Sequence, residues 1–437
     1  MGGQVTEFIE FHGQSHGTCR MTWGQRHVWE TAFVPDPTAP FLNSSFSVDV
    51  TGHSLAEITD CTRLLLERHE SLRTTYDPTG EAGPQQVVQG HGSVALQIRE
   101  AGPHHVSDVL SRSMKQALEV PFTADEIPVR ATVVMGGSAP RFLILNLFHM
   151  AVDRWGREIA ERDFQKLLDG TAQTRRAYAA QPVHQPRDRA LFEAGADGAH
   201  RSARAVSYLN RCLDGYQGPP ARPAPGADEG ARYQRAEMTS PNLFPLLETL
   251  ASKYRVSVQT VFVAAFAAAM AATLDVDPVV FQISFSNRID HSIKHSVGTY
   301  AQRAMVRIEV ARAPFDELVS RAASGLLTAY RNAHYDPLAA DFSDLVCLNL
   351  TAGQVVTADE RPQPSAGNPL VPREPSTVRW QGGLDSYQGA GVYVMLRKIR
   401  GSASLGITLD TAWLSKDSVD AVLTHLEPLL THVVSTC

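Results

Sequence analysis

The stretch that most constrains this chain is Leu143-Ile144-Leu145-Asn146-Leu147-Phe148-His149-Met150-Ala151-Val152-Asp153-Arg154-Trp155-Gly156. Residues 142–148 form a short run rich in Leu, Ile and Phe and apolar at nearly every position. That is the pattern of a strand buried on both faces. His149 falls at the C-terminal end of this strand, where a loop can hold a polar group at the edge of a core. Asp153 follows four residues later. Trp155, Ile159, Phe164, Leu167 and Leu168 then recur at helical spacing. The chain is therefore expected to run strand, His-x-x-x-Asp, helix, and to be organised around that turn.

The remaining elements mix the same ingredients on both sides of this turn. Residues 1–20 lack periodicity and read as a tail or a leading strand. Residues 43–50 alternate as a half-buried strand. Ser54 can cap a helix running to about Arg68. Residues 84–88, 94–98 and 131–135 read as strands, and 106–118 as a helix. Pro and Gly accumulate over 170–235, and the run between Gly218 and Gly230 has the composition of a linker. A helix after Ser257, strands at 279–285 and 346–350, a helix at 315–330, a Pro/Gly/Ser-rich loop at 352–376, strands at 391–398 and 404–409 and a helix from Ser415 complete the chain. The 437 residues are long for one domain. Two α/β lobes in tandem are expected: 1–180, a connecting segment 181–235, and 236–437.

Composition narrows the function classes. The chain is 43% hydrophobic and 20% charged, with a net charge of −6 and its arginines scattered. Neither nucleic acid nor an anionic membrane is an expected partner. Cys19, Cys61, Cys212, Cys347 and Cys437 are far apart, odd in number and without metal-ligand or redox spacing. Together with a first segment unlike a signal peptide, this points to a reducing, cytoplasmic setting. The longest apolar segment, 256–274, is Ala-rich and interrupted by Ser257, Gln259 and Thr260. It reads as a buried core helix capped by Ser257, not as a membrane span.

Several spaced segments together resemble the condensation domains of nonribosomal peptide synthetases, within the wider group of chloramphenicol acetyltransferase-like His-x-x-x-Asp acyltransferases. Thr22-Trp23-Gly24-Gln25-Arg26 with Trp29 resembles the family's opening segment. Arg68-His69-Glu70-Ser71-Leu72-Arg73-Thr74 is a near copy of its second. Pro121-Phe122 with Pro128-Val129-Arg130 resembles the approach to the active site. Phe148-His149-Met150-Ala151-Val152-Asp153-Arg154-Trp155 stands where the family has His-His-x-x-x-Asp-Gly-Trp. Ser286-Asn287-Arg288 and Val297-Gly298-Thr299-Tyr300 match segments of the second half. The resemblance runs from about residue 20 to 435.

The resemblance implies two chloramphenicol acetyltransferase-like α/β lobes arranged as a V, a pseudo-dimer with a central tunnel. A carrier-bound acyl or aminoacyl thioester would enter from one face and an amine or hydroxyl acceptor, a small molecule or itself carrier-bound, from the other. The donor would ride on the phosphopantetheine arm of a partner carrier protein, with no bound cofactor and no metal. Without segments for an adenylation or carrier domain, a free-standing condensation protein is expected.

His149 occupies the reactive slot. A neutral imidazole, with an unperturbed pKa near ~6.5, suits removal of the acceptor's proton. The family's histidine can equally position the acceptor or stabilise the tetrahedral intermediate, and a histidine at a strand end can also be purely structural. By the resemblance, Asp153 pairs with Arg288 and holds the loop, while Phe148, Arg154, Trp155 and Asn287 complete the surroundings. His69, Glu70 and Arg73 are expected to stabilise the first lobe. Arg154, Gly298 and Tyr300 are the expected substrate-side residues. The chain departs from the motif at Phe148, Arg154 and Gly156. Two placements are open to Arg154: outward beside Glu158, or into the tunnel, where it would narrow the acceptor side or bind an anionic group. Three functions follow: acyl transfer through His149; a non-catalytic module that binds a carrier protein or tailoring enzyme; or cyclisation, hydrolysis or isomerisation of a tethered intermediate.

Overall fold

The computed structural model describes residues 4–80, 83–102, 104–219, 231–340, 345–350, 374–384, 389–399 and 402–436. The chain forms two compact units, Met1–Ala199 with Ser286–Ala301, and His200–Phe285 with Gln302–Cys437. Both mix helices with strands.

The first unit contains, in order, β1 (Gln4–His12), β2 (Gly17–Arg20), α1 (Trp23–Val28), β3 (Asn43–Asp49), α2 (Leu55–Arg68), β4 (Thr74–Asp77), β5 (Gln85–Val88), β6 (His91–Ala101), α3 (Val106–Glu119), β7 (Val129–Gly136), β8 (Ala139–Phe148), α4 (Arg154–Leu168), α5 (Ala172–Ala179) and α6 (Pro186–Ala194). Its main sheet has the order β1-β6-β7-β8-β3, and β2, β5 and β4 form a smaller one. The apolar run of β8 is explained by its neighbours. Leu143, Leu145 and Leu147 join Ile58, Leu65, Ile159 and Phe164 of α2 and α4 in one core. Ile144 turns the other way, toward Val106, Leu110 and Met114 of α3. With both faces covered, no polar alternation is needed. At the end of β8 the amides of Ala151 and Val152 both donate to the Phe148 carbonyl (2.9 and 3.1 Å), closing a tight turn. Asp153 then caps α4, accepting from the Gly156 amide at 2.8 Å.

The division falls within α7 (Ala196–Leu213), after which come β9 (Tyr233–Ser240), α8 (Leu243–Tyr254), α9 (Val258–Leu274), β10 (Val279–Phe285), β11 (Gln302–Ile308), α10 (Phe315–Arg331), β12 (Val346–Asn349), β13 (Thr377–Leu384), β14 (Val392–Ile399), β15 (Ser402–Asp410) and α11 (Lys416–Ser435). The second unit's sheet has the order β11-β10-β12-β14-β15-β9-β13. Ser257 caps α9, which is apolar on nearly every side. Such a helix must be buried, and α9 packs among α8, α10 and α11. Among the described residues, no single helix is long and apolar enough to cross a membrane.

The break at Ala199/His200 falls inside the expected connecting segment 181–235, between the expected lobes 1–180 and 236–437. The supposed connecting segment is largely helical to Leu213. Pro186 opens α6, where a missing N–H has no helical partner to lose, and Gly195 follows that helix's end. These residues therefore mark helix boundaries and not a linker. Ser286–Ala301, expected in the second lobe, belongs to the first unit. The linker-like run from residue 220 and most of the loop at 352–376 lie outside the described residues.

Candidate active site

His149 is the first residue beyond β8 and is half-buried. Its amide donates to the Leu42 carbonyl at 2.7 Å. Its ring Nδ1 lies 2.9 Å from the Val152 carbonyl. A carbonyl can only accept, so Nδ1 carries the hydrogen and the neutral ring has its lone pair on Nε2. Among the described residues no group bonds Nε2. The turn thus holds an imidazole in one tautomer with its basic nitrogen available.

Asp153 does not serve that ring. It is 1% exposed, and both oxygens are engaged elsewhere. Oδ1 accepts from the Gly156 amide. Oδ2 accepts from Arg288 Nη1 at 2.7 Å and from the amides of Tyr300 and Ala301 at 3.0 and 3.1 Å. Arg288 in turn donates through Nη2 to the carbonyls of Ser296 and Gly298, and its guanidinium lies 4.9 Å from the Tyr300 ring centroid. Asn287 adopts a left-handed backbone (φ 54°), and its Nδ2 donates to the Tyr300 carbonyl at 3.1 Å. The Tyr300 hydroxyl lies 2.6 Å from Ser296 Oγ. Ser286–Ala301 is thereby tied around one buried carboxylate.

The small residues at this contact have a steric reason. A Cβ on Gly156 would meet the Gly298 carbonyl oxygen at 2.7 Å. One on Gly298 would meet the Tyr300 ring at 2.8 Å, and one on Gly24 the Thr299 carbonyl oxygen at 2.5 Å. The start of α4 and the start of α1 both approach the 298–300 backbone too closely for any side chain.

Phe148 is fully buried. Its ring stands 5.4 Å from Phe122, 5.6 Å from Phe33 and 6.1 Å from Tyr76, centroid to centroid. An aromatic hydrocarbon fits this box, which explains its presence where the motif carries a histidine. Trp155 is the half-buried second residue of α4. Arg154 opens the helix and pairs along it with Glu158 at 2.9 Å, with about a third of its side chain exposed. Of the two placements open to Arg154, this is the one beside Glu158.

The structure brings His149, Asp153, Asn287, Arg288, Gly298 and Tyr300 into one neighbourhood of the first unit, with Phe148, Arg154 and Trp155 on its flanking elements. Three participants are not among the expected site residues, although each lies inside a segment that carries the resemblance. Val152 acts through its carbonyl alone. Thr22 Oγ1 donates to the Thr299 carbonyl at 2.9 Å, and Thr299 Oγ1 to the His149 carbonyl at 2.6 Å. A fourth, Asp163 on α4, lies 3.1 Å from His69 Nε2 and pairs with Arg68 and Arg162. Burial works against its charge, but the bond from His69 and the neighbouring cations hold this carboxyl well below the usual range. Burial likewise lowers the pKa of His69, outweighing the carboxylate's pull, so His69 is neutral and donates from Nε2. Glu70 accepts from Arg187 at 3.0 Å and from Ser15. Arg73 donates to the Ser15 carbonyl at 2.7 Å. Among the described residues there is no group of three or more His, Cys, Asp or Glu side chains placed to hold a metal.

The chain has recognisable relatives among known proteins. The condensation-domain model matches residues 44–341. The nonribosomal peptide synthetase kk1B of Curvularia clavata is 24% identical over 284 residues, which is 63% of this chain and 2% of that protein. The chain thus spans a small fraction of that relative. Among solved structures, one describing condensation domain-mediated chain release from the enacyloxin polyketide synthase is similar with a TM-score of 0.75 at 13% identity, covering 97% of this chain and 83% of the other. SgcC5 from Streptomyces globisporus is similar with a TM-score of 0.67 at 15% identity, covering 95% and 99%. At these identities the structural likeness speaks for the fold, and the matched model supplies the family. Mixed α/β units, a buried Asp153–Arg288 anchor and a histidine at the end of β8 accompany that match, and the chain belongs to the condensation-domain family.

Proposed function

We propose that this protein is an acyltransferase of natural-product biosynthesis that joins a carrier-bound acyl or aminoacyl thioester to an amine or hydroxyl acceptor, with His149 Nε2 receiving the acceptor's proton. The observation that carries this reading is the state of the His149 ring, its Nδ1–H donated to Val152 and its Nε2 left as the acceptor. The acceptor nitrogen or oxygen attacks the thioester carbonyl carbon, a C–N or C–O bond forms, and the attacking atom's proton passes to Nε2. The C–S bond then breaks, the departing thiolate takes that proton, and the neutral ring is restored. General-base assistance of this kind contributes roughly 10²–10⁴-fold, and positioning of donor and acceptor at least as much.

The family membership and the names of the relatives support this reading. kk1B is a nonribosomal peptide synthetase, and SgcC5 was solved with an aryl ethanediol, which keeps a hydroxyl acceptor beside an amine. The reading includes a phosphopantetheine arm on a partner carrier protein, and the V of two lobes with a central tunnel that the resemblance implies. His149→Ala, incubated with loaded carrier proteins and candidate acceptors and assayed by mass spectrometry, is expected to form no product where the wild type does. Wild-type product from that variant would remove His149 from the chemistry.

Phe148 and Arg154, in place of the motif's His and Gly, favour one second reading, a module that binds a carrier protein or tailoring enzyme without turnover. It predicts binding of a carrier by the wild type and no product with any loaded form.

A further inference from the structure

The turn bearing His149 is fastened to residues 298–301 at both of its ends. At the far end, the Asp153 amide donates to the Gly298 carbonyl at 3.2 Å, and Asp153 Oδ2 receives the amides of Tyr300 and Ala301. At the near end the link from this segment, the sole one among the described residues, is the Thr299 hydroxyl, which donates to the His149 carbonyl at 2.6 Å. Thr299 is fully buried. Its own carbonyl is held by Thr22 Oγ1 and approached by Gly24, so the hydroxyl is delivered from a fixed backbone.

The two peptide groups flanking the His149 Cα are therefore both restrained, the amide by Leu42 and the carbonyl by Thr299. Together they set the direction of the Cα–Cβ bond. The Nδ1–H bond to Val152 then sets the ring plane. The Thr299 bond does not close the turn, which Phe148, Ala151 and Val152 do among themselves. Nor does it anchor α4, which Asp153 does. Its specific effect falls on the peptide that aims the imidazole.

We infer that Thr299 is a positioning residue for His149: its hydroxyl fixes the histidine's backbone so that Nε2 points in one direction with Nδ1 kept protonated. This rests on the proposed chemistry at His149 for its effect on rate, but not for its effect on the ring. A misplacement of about 1 Å at a reacting group can cost ~100-fold, and a buried carbonyl left without its donor has reason to move.

The test compares Thr299→Val, which keeps the shape and removes the hydroxyl, with Thr299→Ser, which restores it. Nitrogen-15 histidine spectra, with His149→Gln identifying the signal, report the tautomer, and steady-state kinetics with a loaded carrier report turnover. Thr299→Val is expected to lower kcat roughly 10–100-fold with KM within about twofold, and to mix the two tautomers of His149. Thr299→Ser should recover most of both losses. Thr299→Ala repeats the measurement should the valine variant not fold. An unmoved His149 signal in the valine or alanine variant, with or without lost stability, overturns the positioning role. If the wild type transfers no acyl group while the valine variant still disturbs the ring, the proposed function falls and the positioning stands.

Discussion

Asp153 carries four hydrogen bonds on two oxygens, one to its own helix and three to residues more than 130 positions away. A buried carboxylate so engaged is costly to orphan and costly to remove. Breaking a buried pair by deleting one partner costs about 3–5 kcal/mol. Asp153→Ala and Arg288→Ala are each expected to lose that much in urea unfolding, and the double variant clearly less than the sum, because the second deletion removes a charge already stranded. Strict additivity would mean that the two side chains act independently. The role of Asp153 was legible in the sequence only through its place in a spaced motif, since an aspartate four residues after a histidine equally suggests a catalytic partner. Thr299, Thr22 and Val152 stand in the resembling segments, but their roles were not legible. Two donate to main-chain carbonyls, and the third lends its own carbonyl, so side-chain type says little about any of them.

At the level of elements, α2 and α4 are joined through His69 and Asp163. Residues 54–68 advertised their helix plainly, and Ser54 and Glu57 do form the reciprocal cap. Nothing in α4's apolar spacing announced that Asp163 turns inward. The ring of His69 is fully buried and neutral, so its folded pKa lies below the ordinary imidazole value. Acidification through that ordinary value therefore protonates the unfolded chain first, and the stability tied to this site is complete above about pH 6.5 and is lost as pH falls below it. Asp163, depressed instead in the carboxylate range, adds a further loss only at more acid pH. Chemical unfolding of the wild type is thus expected to weaken between about pH 7.5 and about pH 5.5. His69→Gln should show a shallower slope over the same interval. An equal slope would place the titrating group elsewhere; His184 and His295, whose values are also lowered by burial, are the alternatives. β13 and α8 escaped the sequence reading for different reasons. β13 alternates weakly and contains Gly382 and Gly383 on a sheet edge, while α8 has no capping side chain and carries Pro245 near its start.

For the whole molecule, the decisive fact is that the first unit is not a continuous piece of chain. Apolar periodicity and Pro/Gly content locate helices, strands and breaks along the sequence, but they do not report which body a segment joins. Ser286–Ala301 sits between two strands of the second unit's sheet, β10 and β11, and nothing in its composition sends it to the first. Its contacts do. It delivers Arg288 to Asp153, Val297 to the core of the first unit, and a bare backbone to Gly24 and Gly156. A fragment ending at residue 199 would keep β1–β8 and α1–α6 and yet lose all of these. It would bury Asp153 without its cation and leave two glycine faces and part of the core uncovered. The stranded carboxylate alone, at about 3–5 kcal/mol, is a large share of the roughly 5–15 kcal/mol that stabilises a typical domain. Residues 1–199 expressed alone are therefore expected to show weak hydrogen-exchange protection over 149–157 and a broad unfolding transition. The same fragment with 286–301 appended through a flexible linker should regain both protection and cooperativity. Equal protection in the two fragments would show that the His149 turn is held by the first 199 residues alone, and would remove the physical basis for assigning 286–301 to that unit.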